Sequence, residues 1–398
     1  MINTTSHGQV EIGNTAEVKA AVRGTSGNVG TWKVETAAMQ INTTNAGVIS
    51  QSLNTNNVAV KVSTAACSLL GICAQSNTAT LSAGKLEITQ DAQIQKTSPV
   101  LTSLVLEATG AAAYSPQVQN RVLVDGKIIS TELSPLTLQI LSDNLVEIRQ
   151  NATLKAAKIE VISENGLYNG DIWSYFAQGN GMPLPAISLF ARTLAIAGSL
   201  KSGSQNRAGS IKIEGQDSLN IENAQITANG SDGGNVEIVS MNGTVSLINS
   251  VVQTNGGEGR GGAISVAGLQ STILSGSTLE ATGITQGGQV SLISHAGNIN
   301  FLNSIIQTNG GSGLGGTISF DASRALTING QLSANSQTAK AGLITLEAEN
   351  ILLDTQANLQ ATGSTGGGTI LVGGDWQGSG TLRHAITVTM NQGAVIDA

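Results

Sequence analysis

The residues that could do chemistry are few. Two cysteines close a short stretch, Cys67-Ser68-Leu69-Leu70-Gly71-Ile72-Cys73, and the histidines are His7, His295 and His384. Loop-closing spacing of this kind favours a disulfide between Cys67 and Cys73, with two buried thiols as the alternative. Two sulfurs without further ligands do not make a metal site, so neither metal nor cofactor is expected. Gly257-Glu258-Gly259-Arg260-Gly261-Gly262 and Gly311-Ser312-Gly313-Leu314-Gly315-Gly316 match the G-x-G-x-x-G string of dinucleotide sites. That fingerprint needs a strand before it and a helix after it, whereas these stretches read as turns between two strands. They also lack the Asp that completes a calcium-binding nonapeptide. Asp232, Glu258 and Asp321 fall in separate repeats and read as solvated corner residues, and no nucleophile or carboxylate stands at motif spacing from His295 or His384. Acid, base and cation must converge on one substrate for proton transfer, so no catalytic residue is assigned and an enzyme is not expected. The aromatic stretch Tyr168, Trp173, Tyr175 and Phe176 is the one place suited to stacking against a sugar or a partner; otherwise it fills an irregular coil.

The elements that carry these residues follow from composition and periodicity. Of 398 residues, 40% are hydrophobic, 11% charged and 3% aromatic, with 49 Gly and 5 Pro. Disorder needs low hydrophobicity and high charge, so this chain can bury a core, and small and β-branched residues must fill it. A net charge of −7 with no basic cluster excludes nucleic acid as a partner. No apolar run approaches the length that spans a bilayer, and the opening residues do not resemble a signal peptide, so a secreted chain would be a processed piece.

From residue 208 a short pattern returns: a small residue and Gly, one residue, Ile or Val, one residue, then another apolar residue. It begins at Ala208-Gly209, Gly233-Gly234, Gly261-Gly262, Gly287-Gly288, Gly315-Gly316, Ala341-Gly342 and Gly367-Gly368, at intervals of 25, 28, 26, 28, 26 and 26 residues. Within each unit the alternation resumes after a bend, as in Val245-Ser246-Leu247 and Leu326-Thr327-Ile328, and a third short strand follows, as in Val251-Val252-Gln253. A period of two means strand, and three short strands with three corners use up about 26 residues, leaving no room for a helix. Such a coil cannot pair its own backbone, whereas stacking equivalent strands about 4.8 Å apart pairs all of them in parallel. The expected fold is therefore an all-β, right-handed parallel β-helix of about 26 residues per coil, or roughly 15 coils at full regularity. Ile, Val and Leu should stack inward while Lys212, Glu237, Ser265, Ser291, Ser319 and Thr345 face water. The glycine pairs should meet either a positive φ or a close approach between coils.

Residues 1–110 read as N-terminal coils, 111–192 as less regular coils with a Pro- and aromatic-containing excursion, and 193–398 as the regular repeats. All five prolines precede residue 186, and Pro cannot donate to a ladder.

The run Gly8-Gln9-Val10-Glu11-Ile12 followed by Gly27-Asn28-Val29-Gly30-Thr31-Trp32-Lys33-Val34 resembles the filamentous-haemagglutinin-like, two-partner-secretion exoproteins. Ile49-Ser50-Gln51-Ser52-Leu53-Asn54 through Asn57-Val58-Ala59-Val60 is similar to the stretch that follows in that family. Gly373-Gly374-Asp375-Trp376-Gln377-Gly378 before Ile396-Asp397-Ala398 resembles a later element. Glu35-Thr36 departs from the Asp-Pro that commonly follows the Trp there. The resemblance implies a bacterial protein exported through an outer-membrane transporter, secreted or displayed at the cell surface in association with the outer membrane. It implies an adhesive stalk that meets a glycan or protein of a host cell, the matrix or a neighbouring cell. End-to-end self-association into a fibre through open coils is the alternative, and a polysaccharide-active β-helix enzyme is the least favoured.

Overall fold

Inward and outward side chains alternate along almost every strand, so each strand must bury one face, and it does so against two others in the same coil. The computed structural model describes all residues except 7–9, 11, 14–15, 20–28, 64–83, 111–119, 178–181, 183 and 205, and the side chain of Trp376. The chain is a parallel β-solenoid of about 12 coils with about 27 residues in each, divided into two compact units, Met1–Arg192 and Thr193–Ala398.

In Thr193–Ala398 three walls of parallel strands enclose the core. The first wall pairs Ser210 with Asn235, then Ala263, Gln289, Thr317, Leu343 and Thr369, steps of 25, 28, 26, 28, 26 and 26 residues that match the sequence repeat. Its inward rungs include Ile211, Val236, Ile264, Val290, Ile318 and Ile344, all essentially buried. The second wall stacks Ile221, Leu247, Leu274, Phe301, Ile328 and Leu353, and the third stacks Ile226, Val252, Leu279, Ile306, Leu332 and Leu359. Phe301 and Phe320 meet across the core edge to face, with ring centroids 5.6 Å apart and planes at 64°. Thr272 is a polar rung in an apolar column, and it is satisfied: its hydroxyl donates to the Ile293 carbonyl at 2.6 Å and accepts from Gly268 N at 3.1 Å. On the outward side of the first wall, Lys212, Glu237, Ser265, Ser291 and Ser319 reach solvent. Thr345 does not, being 9% exposed between Ser319 and Leu371 in its wall.

The corners explain the glycines and asparagines. The glycine pairs meet close approach and not positive φ: a Cβ on Gly262 would lie 2.0 Å from the Gly234 carbonyl oxygen, and one on Gly288 2.1 Å from that of Gly262. Between the second and third walls the corner residue is left-handed, at Asn223, Asn249, Gly276 and Asn303 with φ of 54°, 46°, 61° and 47°, a conformation that Gly and Asn tolerate best. The next residue in three of these corners is a buried serine. Ser250 accepts from Ala224 N, Ser277 from Ser250 N and Ser304 from Ser277 N, each at 3.1 Å. Their hydroxyls donate to carbonyls of the same or the preceding coil.

Met1–Arg192 has the same three walls with interruptions. Its first wall stacks Trp32, Val58, Leu104, Leu138 and Ile159, and its third Ile94, Ile128, Leu154 and Ile172. The second runs Ile41, Ile88, Val124, Ile148 and Tyr168. Spacing is irregular because insertions lie between equivalent strands: Met39 pairs with Leu86, 47 positions on, and in the other unit Asn350 pairs with Thr387, 37 positions on. These insertions bring about 12 coils out of a length that full regularity would have made roughly 15.

One element within residues 1–110 is not a strand: Thr43–Leu53 forms an α-helix directly after the second-wall strand Met39–Ile41. The Asn42 side chain caps it by accepting from Asn45 N at 3.0 Å, and Asn45, Ala46, Val48, Ile49, Ser52 and Leu53 form its buried stripe. The helix takes the position of a third-wall strand in its coil and covers Gln93–Gln95, the outermost strand of that wall. Ser50 Oγ accepts from Gln95 N at 2.8 Å, and Asn54 Oδ1 accepts from Thr97 N and Ser98 N, both at 3.0 Å.

Candidate interaction surface

The aromatic stretch separates into two pairs according to which face of the backbone each residue occupies. Tyr168 is an inward rung of the second wall and fully buried, with its hydroxyl 3.3 Å from Ser163 Oγ. Burial pushes that phenol well above its ordinary range despite the hydrogen bond. Tyr175 is 1% exposed, packs with Ala157, Ala177 and Met182, and sets its hydroxyl 2.5 Å from Ser130 Oγ. Its phenol is pushed up to about 12, mainly by burial. Ser130 Oγ in turn contacts the Lys155 carbonyl oxygen at 2.9 Å. Two of the four aromatics are thus core, and neither can stack on anything from outside. The structure brings the other two, Trp173 and Phe176, to the surface, both half-buried.

Trp173 lies on the outward face of the strand Asp171–Ser174, directly beside Lys155 in the third wall. The Lys155 ammonium sits 3.9 Å from the centre of the indole ring and 6.0 Å from that of Tyr175. A cation over the indole face is an attractive contact, drawn by the ring's negative face. One ring face is therefore occupied by charge, and Trp173, Phe176 and the Lys155 ammonium together form a half-buried aromatic and cationic surface. Lys127 and Asp171 are exposed on the same wall, so the patch is amphipathic with both signs of charge. The alternation along the strand is the signal that sorts the aromatics: Ile172 and Ser174 point inward and Trp173 outward.

The other sequence candidates stand apart. Cys67 and Cys73 lie outside the described residues. The two Gly-rich strings are strand-to-strand corners, between Val251–Gln253 and Ala263–Gly268 and between Asn298–Gln307 and Thr317–Ala322. The glycine pairs of three consecutive coils floor a shallow groove of about 480 Å³ edged by Arg260 and Gln286. Asp232 Oδ1 accepts from Arg260 N at 2.8 Å, and Asp321 pairs with Arg383 at 2.5 Å. Arg383 belongs to an excursion between Val372 and Thr387 that carries left-handed residues at Gly373, Gly374, Gln377 and Gly378, with Arg383 N donating to Glu347 at 2.8 Å. His384 lies against Gly374 and Gly378 within it, while His295 donates its backbone N–H to Gly268 O. Each of these groups serves a corner of its own, and among the described residues no group of three His, Cys, Asp or Glu is placed to hold a metal ion.

Sequence reasoning missed a second surface feature, a column of amides after the third wall. Asn229 Oδ1 accepts from Asn255 N at 2.7 Å, Asn255 Oδ1 from Thr282 N at 2.9 Å, Asn309 Oδ1 from Asn335 N at 2.8 Å, and Asn335 Oδ1 from Thr362 N at 2.8 Å. The recurring Asn or Thr before Gly or Ser was visible in the sequence, but only the stacking reveals that the side chain replaces a backbone acceptor. The chain matches no protein-family model, no curated protein and no solved structure.

Proposed function

We propose that the chain is a structural and adhesive protein, a stiff β-helical stalk of filamentous-haemagglutinin type, secreted or displayed at a bacterial surface after export through an outer-membrane transporter. The observation that supports this reading is the register itself. Coil after coil repeats one set of inward apolar rungs, while the reactive side chains are spread over separate corners that they hold in place. A body built this way spends its sequence on stacking, and it presents long polar faces to which a glycan or protein partner can bind without turnover. The Trp173, Phe176 and Lys155 patch is the contact surface that this reading puts first.

The test joins location to binding. Surface labelling of intact cells should tag the chain, and the purified protein should bind immobilised host-type glycans or matrix proteins. Trp173→Ala should weaken binding without changing the circular dichroism spectrum. Tagging only after lysis, or release of reducing or unsaturated sugars from a polysaccharide panel, would sink the reading.

A second reading is end-to-end association, because each coil pairs its backbone only with the coil stacked beside it and the same parallel register can be continued by a second copy. The helix Thr43–Leu53 opposes it on the third wall of the other unit, where it covers the strand that an incoming coil would have to pair. Sedimentation across a concentration series decides between them: larger species at high concentration support association, and a constant monomer excludes it.

A further inference from the structure

Asn-Gly is the dipeptide most prone to cyclise, because glycine leaves the following amide nitrogen unhindered. It occurs at Asn165, Asn169, Asn180, Asn229, Asn242, Asn255, Asn309 and Asn329. The fold treats these sites very differently. Asn229, Asn255 and Asn309 stand in the amide column, where each side-chain oxygen already accepts a backbone N–H from the next coil. The attacking groups are held as well: Gly230 N donates to Asn255 O at 3.2 Å, Gly256 N to Thr282 O at 2.8 Å and Gly310 N to Asn335 O at 2.9 Å. Asn255 is fastened further by its amide nitrogen on Glu280 at 3.1 Å, and Asn309 by Ser333 Oγ at 2.7 Å. Asn329 donates to Asp354 at 3.0 Å from inside the strand Ala325–Ser333. Asn165 donates to Asn144 at 3.3 Å inside Lys158–Tyr168, and Asn169 is half-buried.

Asn242 differs from the column asparagines, and it is more exposed than Asn169, the other Asn-Gly whose side chain makes no hydrogen bond among the described residues. It sits in the exposed corner between Asn235–Ser240 and Thr244–Ile248, beside Met241, which is 46% exposed. Its side chain makes no hydrogen bond among the described residues, and only its backbone is fixed, to Gln216 O at 2.8 Å. Gly243 N donates to a hydroxyl, Ser240 Oγ, at 3.2 Å and not to a backbone carbonyl of the next coil.

We propose that Asn242-Gly243 is a site of spontaneous deamidation and backbone isomerisation, and that the amide column shields Asn229, Asn255 and Asn309 from the same reaction. The Gly243 amide nitrogen loses its proton and attacks Asn242 Cγ. A bond forms between that nitrogen and Cγ, the bond from Cγ to Nδ2 breaks, and ammonia leaves. Water then opens the cyclic imide at either carbonyl, giving an aspartyl or an isoaspartyl residue, with no change in oxidation state. The product places a carboxylate at the corner next above Gln216 and Asp217, in the unit that already carries 13 acidic against 7 basic residues.

The test ages the whole folded chain in ¹⁸O-labelled water at mildly alkaline pH and maps its peptides by mass spectrometry, reading each Asn-Gly separately. Asn180, which lies outside the described residues, is read on its own peptide. Label should enter at Asn242 at least about tenfold faster than at Asn255 or Asn309, the factor that breaking two ordinary hydrogen bonds imposes on a rate. In the unfolded chain the three rates should converge, because the shield belongs to the fold. Ser333→Ala, which removes one donor from Asn309, should speed that site while leaving Asn242 unchanged, and Asn242→Gln should abolish label at 242. Equal rates at Asn242, Asn255 and Asn309 in the folded chain, or a difference that persists after unfolding, would overturn the proposal.

Discussion

Gly262 and Gly288 set the closest approach between coils, and that approach sorts substitutions along a single wall. A methyl on Gly288 would fall inside the contact distance of the Gly262 carbonyl oxygen, so Gly288→Ala should cost about 1–3 kcal/mol as the coils are forced apart. Ser291→Ala, on the outward face three residues later, should stay within about 0.5 kcal/mol; urea midpoints of the two variants provide the comparison. Charge is handled locally too. Burial pushes Glu107 up, but the hydrogen bonds from Lys61 at 2.7 Å and from Thr109, with the charges of Lys61 and Lys33, hold it below its ordinary value. The stability this contributes is complete above pH 4.5 and is lost as pH falls through the lower folded value. Lys96 behaves in the opposite sense. It is 1% exposed, its ammonium reaches, among the described residues, only Ser98 O and Oγ, both at 2.7 Å, and burial lowers it to about 8 from 10.5. The unfolded chain therefore holds a proton between those values that the folded chain has released, so the Lys96 contribution to stability should rise with pH across that window. Lys96→Met should remove this rise, read as the difference between the two proteins' urea midpoints from pH 8 to 10.5.

At the scale of elements, the helix Thr43–Leu53 is the feature that periodicity alone concealed. Thr43, Thr44, Gly47, Ser50 and Ser52 are weak helix formers, so propensity argues against the helix that packing imposes. The signal present was Asn42 as a cap followed by Ala46, Ile49 and Leu53 at helical spacing. The strands were far more legible, because each coil repeats the same alternation and the repeat intervals become the pairing register without adjustment. Of the four aromatic candidates, the sequence located the stretch but not its sides: the strand Lys158–Tyr168 turns Tyr168 inward only because Gly166 and Tyr168 fall in step with Val146 and Ile148. An outermost strand left uncovered is a template for further pairing. The double substitution Ser50→Ala with Asn54→Ala, which strips the acceptors from Gln95 N, Thr97 N and Ser98 N, should therefore lower stability by roughly 1–2 kcal/mol. It should also shift the sedimentation profile towards larger species, whereas an unchanged profile would mean that the strand is protected by something else.

For the molecule as a whole, a core made of columns ties stability to neighbours along the stack, as in other one-dimensional repeat proteins. Large rings are rare in these columns, so Phe320→Ala, which empties the contact with Phe301, should cost about 3–5 kcal/mol, seen as a lowered melting temperature. The two units differ in how they use charge. Met1–Arg192 balances 12 basic with 13 acidic residues and pairs many of them along its walls, whereas Thr193–Ala398 is acidic and lines its corners with amides and hydroxyls. The buried serines of its second corner have a further effect. Ser250, Ser277 and Ser304 each lie between an N–H of the preceding coil and a carbonyl oxygen, and at the equivalent place in the following coil stands Gly330, where the ladder stops. A coil that slipped by one position would replace the serine hydroxyl at that N–H with its neighbour, Asn249 or Val251, Gly276 or Thr278, Asn303 or Ile305. The hydroxyls therefore work as teeth of a zip fastener, admitting each incoming strand in one alignment, so that the accuracy of assembly is settled locally, rung by rung, as the chain winds.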